Sequence, residues 1–275
     1  MDALLEKSAL GKETAYFKQY DPKLLFSISR ETNRQQLQLS GRLPFNGVDI
    51  WNAYEFSWLN AKGKPQVAIL EIEVPCTSPN VFESKSLKLY LNAFSNIQFS
   101  TADEIVTTIT SDLSAAADQK TKVTIKRLTS LDPAELCKPI FGIDLDNIDV
   151  VCNCYQIDPM LLKLETAFVT ETLYSNLLKS NCPVTNQPDW GSVVISYTGK
   201  KINHAALLQY IVSFRDHCDF QEHCIERIFM DLYTLAKPTE LTVYGRYTRR
   251  GGIDINPFRT TSNTFHPENY RWLRQ

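Results

Sequence analysis

The chain has 275 residues, 43% apolar and 22% charged, so it can bury one large core or two of domain size and lies far from a disordered profile. Its 29 basic and 31 acidic side chains leave a formal net charge of −2, which excludes a general polyanion binder but leaves room for a local basic patch. No apolar run approaches the about 18 residues of a membrane-spanning helix, and the N-terminal MDALLEKSALGKETAYF has acidic residues and no apolar core, so no membrane contact and no secretion signal are expected.

The first 60 residues read as mostly irregular, with scattered Pro, Gly and Asn and aromatic anchors at Tyr16, Phe17, Trp51, Tyr54 and Trp58. QVAILEIEVP, from Gln66, reads as a strand closed by Pro75. In SKSLKLYLNAF, Ser84 to Phe94, the apolar residues at 87, 91 and 94 recur at helical spacing. Thr101 with Glu104 makes a capping box that opens a helix to about Ala117, and KVTIKRL, from Lys122, is the next strand. The stretch 128–150 reads as a linker followed by a strand. A helix-like run then leads into the polar loop LLKSNCPVTNQPDWGS, ahead of the strand SVVISYTG from Ser192. Asn203 caps a helix over AALLQYIVSFRDH, and Asp219 with Glu222 makes a second capping box for a helix to about Leu235. LTVYGRYTRR, from Leu241, is a strand ended by Gly251 and Gly252.

Strand, helix, helix, strand thus occurs twice. The pattern predicts an α+β chain of two modules, 1–135 and 136–275, each an antiparallel sheet with helices packed on one face. The helices alternate Ala, Leu and Ile with charged residues, as core-packing helices do.

The seven Cys are odd in number and lack a disulfide-scaffold spacing, which fits a reducing cytoplasm. His217, Cys218, His223 and Cys224 could be counted as four zinc ligands. Adjacent helical residues point about 100° apart, however, and Cys224 sits in an apolar helical stripe, so the plainer reading is a core Cys224, a surface His217 and an exposed His223. Cys152 and Cys154 fall on one face of an expected strand with no second pair nearby, and no C-x-x-C supports disulfide chemistry. No metal site is expected.

Cys182 stands apart because it lies in a polar loop at an element end, where binding and catalytic groups concentrate. Pro183 and Pro188 stiffen that loop and hold Asp189 in a fixed relation to the thiol, provided the loop curls. The residues alone leave two readings: a nucleophile with a proton partner, or a half-buried loop Cys with Asp189 capping a turn. Glu83 and Glu222 each open a helix, where unpaired backbone donors and the dipole already explain a carboxylate. Lys85 and Lys88, three apart on one helix, and Arg249 and Arg250, before Gly251, suit phosphate but equally suit a solvated face. With no G-x-G-x-x-G after a strand and no G-K-[ST], a dinucleotide would bind outside a Rossmann unit.

ESKSLKLYLNAF, from Glu83, resembles the E-S-K-S-x-K-x-Y signature of the NADPH-dependent 7-cyano-7-deazaguanine reductases of queuosine biosynthesis, and NCPVTNQPDWGS resembles their catalytic loop. DIWNAYEFSWLNAKGKPQVA, from Asp49, and YTRRGGIDINPFR, from Tyr247, are similar to flanking motifs of the long, two-module branch. The resemblance implies two tandem tunnelling-fold modules, a homodimer and reduction of a deazapurine nitrile with two NADPH, with no direct nucleic-acid binding. It implies Cys182 as nucleophile, Asp189 as acid/base, and Glu83 and Glu222 as substrate carboxylates. Ser84, Lys85, Ser86, Lys88, Arg249, Arg250 and Gly251 would lie near the NADPH phosphates. One departure stands out: the family usually reads F-H-E where this chain has Phe220-Gln221-Glu222, so Gln221 or His223 becomes the accessory group. The competing readings are a binding protein that turns ligand over poorly, and a cyclohydrolase-like relative, whose chemistry generally wants zinc.

Overall fold

The computed structural model describes residues 19–132 and 137–275. Tyr16, Phe17 and the N-terminal stretch discussed above lie outside the described residues. The chain divides into two compact units: the described residues within 1–40, 49–135 and 249–254, and those within 41–48, 136–248 and 255–275. The sequence division treats each module as one continuous segment, whereas here 41–48 group with the second unit and 249–254 with the first.

The first unit holds β1 (Ser27–Ser29), α1 (Glu31–Gln36), most of β2 (Asn46–Asn60), β3 (Pro65–Pro75), β4 (Asn80–Phe82), α2 (Ser84–Ala93), β5 (Gln98–Phe99), α3 (Ala102–Ala117) and β6 (Lys122–Lys126). Its sheet runs β6-β3-β2, with β6 antiparallel to β3 from Ile69↔Lys126 to Glu73↔Lys122. Thr101 Oγ1 accepts from Glu104 N at 3.2 Å, as the capping box requires, while Glu104 Oε2 accepts from Ser100 N. Leu87, Leu91, Ile105, Ile109 and Leu113 turn inward from α2 and α3, and the ring of Phe56 on β2 meets Phe94 at 5.8 Å. The long strand β2 overturns the expectation of an irregular first 60 residues. Six successive residues from Val48 to Ala53 are buried, Asp49 by pairing with Arg30 at 2.5 Å and Asn52 by donating to Asp254, so in–out alternation is lost over the first half of the strand and marks only its second half.

The second unit holds β7 (Ile143–Asp144), β8 (Leu164–Ser175), β9 (Lys179–Asn181), β10 (Pro188–Ile202), α4 (His204–Ser213), α5 (Gln221–Ala236), β11 (Glu240–Tyr247) and most of β12 (Ile253–Thr260). Strand order is β12-β11-β10-β8-β7, with β9 pairing β10. The sheets are not wholly antiparallel, because β5 pairs β2 and β7 pairs β8 in parallel, each over two residues. The helix-like run before Cys182 is in fact β8, whose Phe168 is exposed and whose Leu173 is buried. Cys152 and Cys154 lie in irregular chain, with Cys154 Sγ donating to the Gln156 carbonyl at 3.1 Å. Gly245 lets α5 approach β11 closely, since a Cβ there would stand 2.6 Å from Ile225.

Candidate active site

The chemistry-bearing loop of the second unit is the tip of a β-hairpin. β9 pairs β10 with Asn181 opposite Pro188 and Ser180 opposite Asp189. Cys182 N donates to Gln187 O at 2.9 Å and Asn186 N donates to Cys182 O at 3.0 Å, so the loop curls back on itself. Asn186 takes a left-handed φ of 54°, which an asparagine tolerates. Side chains alternate along a strand and match across a ladder. Ser180 and Asp189 therefore share one face, both buried, and Cys182, one residue past the end of β9, is buried at the loop that joins them, while Trp190 points the other way and is 37% exposed.

The other edge of β9 is held by the chain leading into α5. Asn181 N donates to His217 O at 2.8 Å, and Asp219 N donates to Asn181 O at 3.0 Å. This brings the first turn of α5, with Gln221, Glu222, His223 and Cys224 all buried, beside the hairpin. The second capping box is not formed. Asp219 Oδ1 accepts instead from Phe220 N at 2.8 Å and from His223 Nδ1 at 2.9 Å, and α5 starts without a side-chain cap. His223 is thus not exposed; its ring is enclosed and its Nε2 meets no hydrogen-bond partner among the described residues. Burial alone would push the Asp219 carboxyl up, but hydrogen bonds from His217 and His223 outweigh it and hold the group well below the usual carboxylate range.

Two hydroxyls that the sequence gives no local sign of complete this buried cluster. Ser180 Oγ and Tyr247 Oη are buried, and no well-aligned hydrogen bond reaches either of them. Tyr247 lies opposite Gly191 in the β10–β11 ladder, and its ring fills the space a Gly191 side chain would take. Burial pushes the Cys224 thiol well up, with the charges of Asp219 and Asp189 adding and the Ser180 and Tyr247 hydroxyls pulling back. Neither hydroxyl has a local signal, because the place of each depends on strand register.

The first unit gathers the remaining candidates. Glu83 is fully buried at the start of α2, with Oε1 accepting from Lys85 N at 2.7 Å and Oε2 from Ser86 N at 2.8 Å. Ser86 Oγ donates to Glu83 O and accepts from Phe26 N, so this hydroxyl is engaged in the local fold. Further along α2, Lys88 runs along Gly251: a Cβ at Gly251 would lie 3.3 Å from the lysine stem. Ala53, Glu55, Lys88, Asn92, Gly251 and Gly252 line a cleft there. The Arg249 guanidinium lies 4.5 Å from the Tyr54 ring centroid, and Tyr54 Oη donates to Asp254 at 2.6 Å.

Comparison with known proteins settles the kinship. A family model described as nitrile reductase, 7-cyano-7-deazaguanine-reductase N-term, matches residues 16–125, and one described as QueF-like protein matches residues 188–265. NADPH-dependent 7-cyano-7-deazaguanine reductases of Paraburkholderia phymatum (51% identical), Acidovorax ebreus (52%) and Burkholderia lata (52%) each align over 98% of this chain and 99% of their own. The chain belongs to the NADPH-dependent 7-cyano-7-deazaguanine reductases.

Membership in this reductase family makes the chain an oxidoreductase and its architecture T-fold-like α+β. A crystal structure of an archaeosine synthase QueF-Like in the apo form aligns at 13% identity over 35% of this chain and 94% of that one, with a TM-score of 0.30, too low to bear on the fold. The donor set along α2 and the Gly251–Gly252 turn fits a phosphorylated cofactor of the family. Both glycines have positive φ, 61° and 76°, so the turn carries no side chains, and Lys88 borders it.

Proposed function

We propose that this reductase converts the nitrile of 7-cyano-7-deazaguanine to the aminomethyl group with two NADPH, through a thioimide on Cys182. What supports the reading is the one hairpin that carries both Cys182 and Asp189, each buried, in a chain about half identical, end to end, to reductases named for this substrate. A nitrile carbon accepts hydride poorly until a nucleophile has added to it. The Cys182 sulfur bonds to that carbon as the Asp189 carboxylate takes the thiol proton and passes it to the nitrile nitrogen, leaving a C=N bond. NADPH, when bound, supplies hydride to that carbon, once to the thioimide and once to the imine left when the sulfur departs. Each hydride addition draws one proton from solvent to the nitrogen, and the sulfur departs as the thiol when Asp189 carries a proton from the amino nitrogen back to it. A buried pocket keeps water from the imine between the two steps.

By the family resemblance Glu222 and Glu83 are substrate carboxylates, while Lys85, Lys88, Arg249, Arg250, Ser84 and Gly251 meet the cofactor phosphates. Ser86 contributes through the α2 cap. The same reading takes the tunnelling fold, the homodimer and the cytoplasm from the family resemblance.

The test mixes pure protein, 7-cyano-7-deazaguanine and limiting NADPH, and follows NADPH absorbance together with protein and product mass. Two NADPH oxidised per aminomethyl product, abolished by Cys182→Ala, is the expected result. An adduct on Cys182 without turnover would confine the fault to reduction. Neither adduct nor turnover would leave a binding protein.

A further inference from the structure

Ser180 and Tyr247 are buried hydroxyls that the mechanism above leaves unused. A buried hydroxyl without a partner costs free energy comparable to a lost hydrogen bond, so two of them beside one carboxylate call for an explanation. Register places both with Asp189. Ser180 is its cross-strand partner on β9, and Gly191, two residues along β10 on the same face, is the partner of Tyr247. The bare Cα of Gly191 leaves room for the tyrosine ring, since a Cβ would stand 3.0 Å from ring carbon Cδ1. A second glycine, Gly245, borders the ring's other edge, its would-be Cβ 3.3 Å from Cε2. The ring is thus held by glycines on two strands, and the negative charges of Asp189 and Glu222 both act on its hydroxyl.

We propose that Tyr247, backed by Ser180, is a positioning residue of the nitrile reduction: its hydroxyl, unbonded in this structure, turns to donate to the Asp189 carboxylate and sets the pH at which that carboxylate can take the Cys182 proton. The proposal rests on the thioimide reading of Cys182 and Asp189. A donor stabilises the ionised carboxylate, which keeps Asp189 in its base form at neutral pH. When Asp189 takes the thiol proton, the phenol can turn its O–H to Ser180, and the phenol keeps its own proton throughout. Burial, with Cys224 and Asp189 next and Glu222 a smaller contributor, pushes the Tyr247 hydroxyl well above the ordinary phenol range against the pull of the Ser180 hydroxyl, so the group stays protonated across the working range. The other ionisable groups of the pocket are Cys182 on the turn, and Glu222, His223 and Cys224 on α5. Asp219 and His217 lie on the segment before α5.

The experiment measures Cys182–substrate adduct by intact mass, without NADPH, across pH, for the wild-type chain, Tyr247→Phe and Ser180→Ala. The phenylalanine keeps the ring against its glycines and removes only the oxygen. The expected result is an adduct whose acidic limb moves up by about one pH unit in Tyr247→Phe, the size of one hydrogen bond to a charged group, and by less in Ser180→Ala. Well above that limb the two variants should match the wild type. An unmoved acidic limb in Tyr247→Phe reduces Tyr247 to packing and overturns the proposal. Should that variant fail to fold, an unmoved limb in Ser180→Ala overturns it instead. Absence of adduct in the wild type would take down the thioimide reading itself, an outcome distinct from an unmoved limb.

Discussion

Arg259 on β12 and Glu226 on α5 form an ion pair with both side chains fully buried, Nη2 and Nε each donating to Oε1 at 2.9 and 3.1 Å. The guanidinium also donates to the Phe258 carbonyl and lies 5.8 Å from the Phe45 ring centroid. Such a pair fixes how α5 seats on its sheet more than it adds net stability, but removing one partner strands the other charge in a dry interior. Glu226→Ala should cost about 3–5 kcal/mol, read as a fall in the denaturant midpoint. The slope should not change. A loss under about 1 kcal/mol, the range of exposed pairs, would show that water reaches the site.

Glu83 gives stability a pH dependence of unusual sign. Burial raises its carboxyl, and the amides of Lys85 and Ser86 with the charges of Lys88 and Lys85 only partly offset this. The folded state therefore binds the proton more tightly than the unfolded chain does. Its contribution is most favourable below the usual carboxylate range and declines as pH rises through the raised folded value. Glu83→Gln carries no charge to bury, so its stability relative to wild type should improve steadily from about pH 4 to pH 7, measured by urea unfolding at fixed ionic strength. Parallel curves for the two proteins would refute this.

How much of this was legible in the sequence depended on whether the signal was local. The α3 cap at Thr101 and Glu104, the strand ended at Pro75 and the helix at Asn203 are written within a few residues, whereas the curl of the Cys182 loop was left open by the residues and is set by the bonds of Cys182 to Gln187 and Asn186. β2 was not, because the ion pair of Asp49 with Arg30 and the bond of Asn52 to Asp254 bury polar residues that read as loop. Asp219 was misread for a related reason: the D-x-x-E spacing says that a box can form, while the imidazole of His223, four residues on, competes for the same oxygen. Tyr247 could be placed near Asp189 only by the register of three strands, which no spacing along the chain encodes.

Gly47 is required by both conformation and space. Its φ is 153°, and a Cβ would stand 1.9 Å from the Phe258 carbonyl oxygen on β12. Backbone cannot swing aside as a side chain can, so Gly47→Ala must disrupt that contact. Gly41, with φ 75°, has nothing within 4 Å of a would-be Cβ and supplies the control. Gly41→Ala should cost about 1 kcal/mol, the ordinary left-handed penalty, and Gly47→Ala more than about 3 kcal/mol, by thermal or urea unfolding. Equal losses would mean that the strand start is free to shift.

Gln221 is the first residue of α5, buried at 8% exposure beside Glu222, at the position where the family pattern this segment resembles reads histidine. An amide can donate a hydrogen bond to a developing nitrogen charge but cannot transfer a proton at neutral pH, whereas an imidazole can. His223 does not simply replace it, because its Nδ1 is tied to Asp219 and two residues along a helix turn the side chain by about 200°. Adduct formation on Cys182 needs only the thiol proton and Asp189, so it should be indifferent to this position. Reduction delivers further protons to nitrogen and should feel it. Gln221→His is therefore expected to leave the rate of adduct formation unchanged and raise kcat, within the about 10²-fold that a placed general acid supplies. The check is single-turnover mass spectrometry beside steady-state NADPH oxidation. A faster adduct with unchanged kcat would move Gln221 from the reduction steps to the addition step.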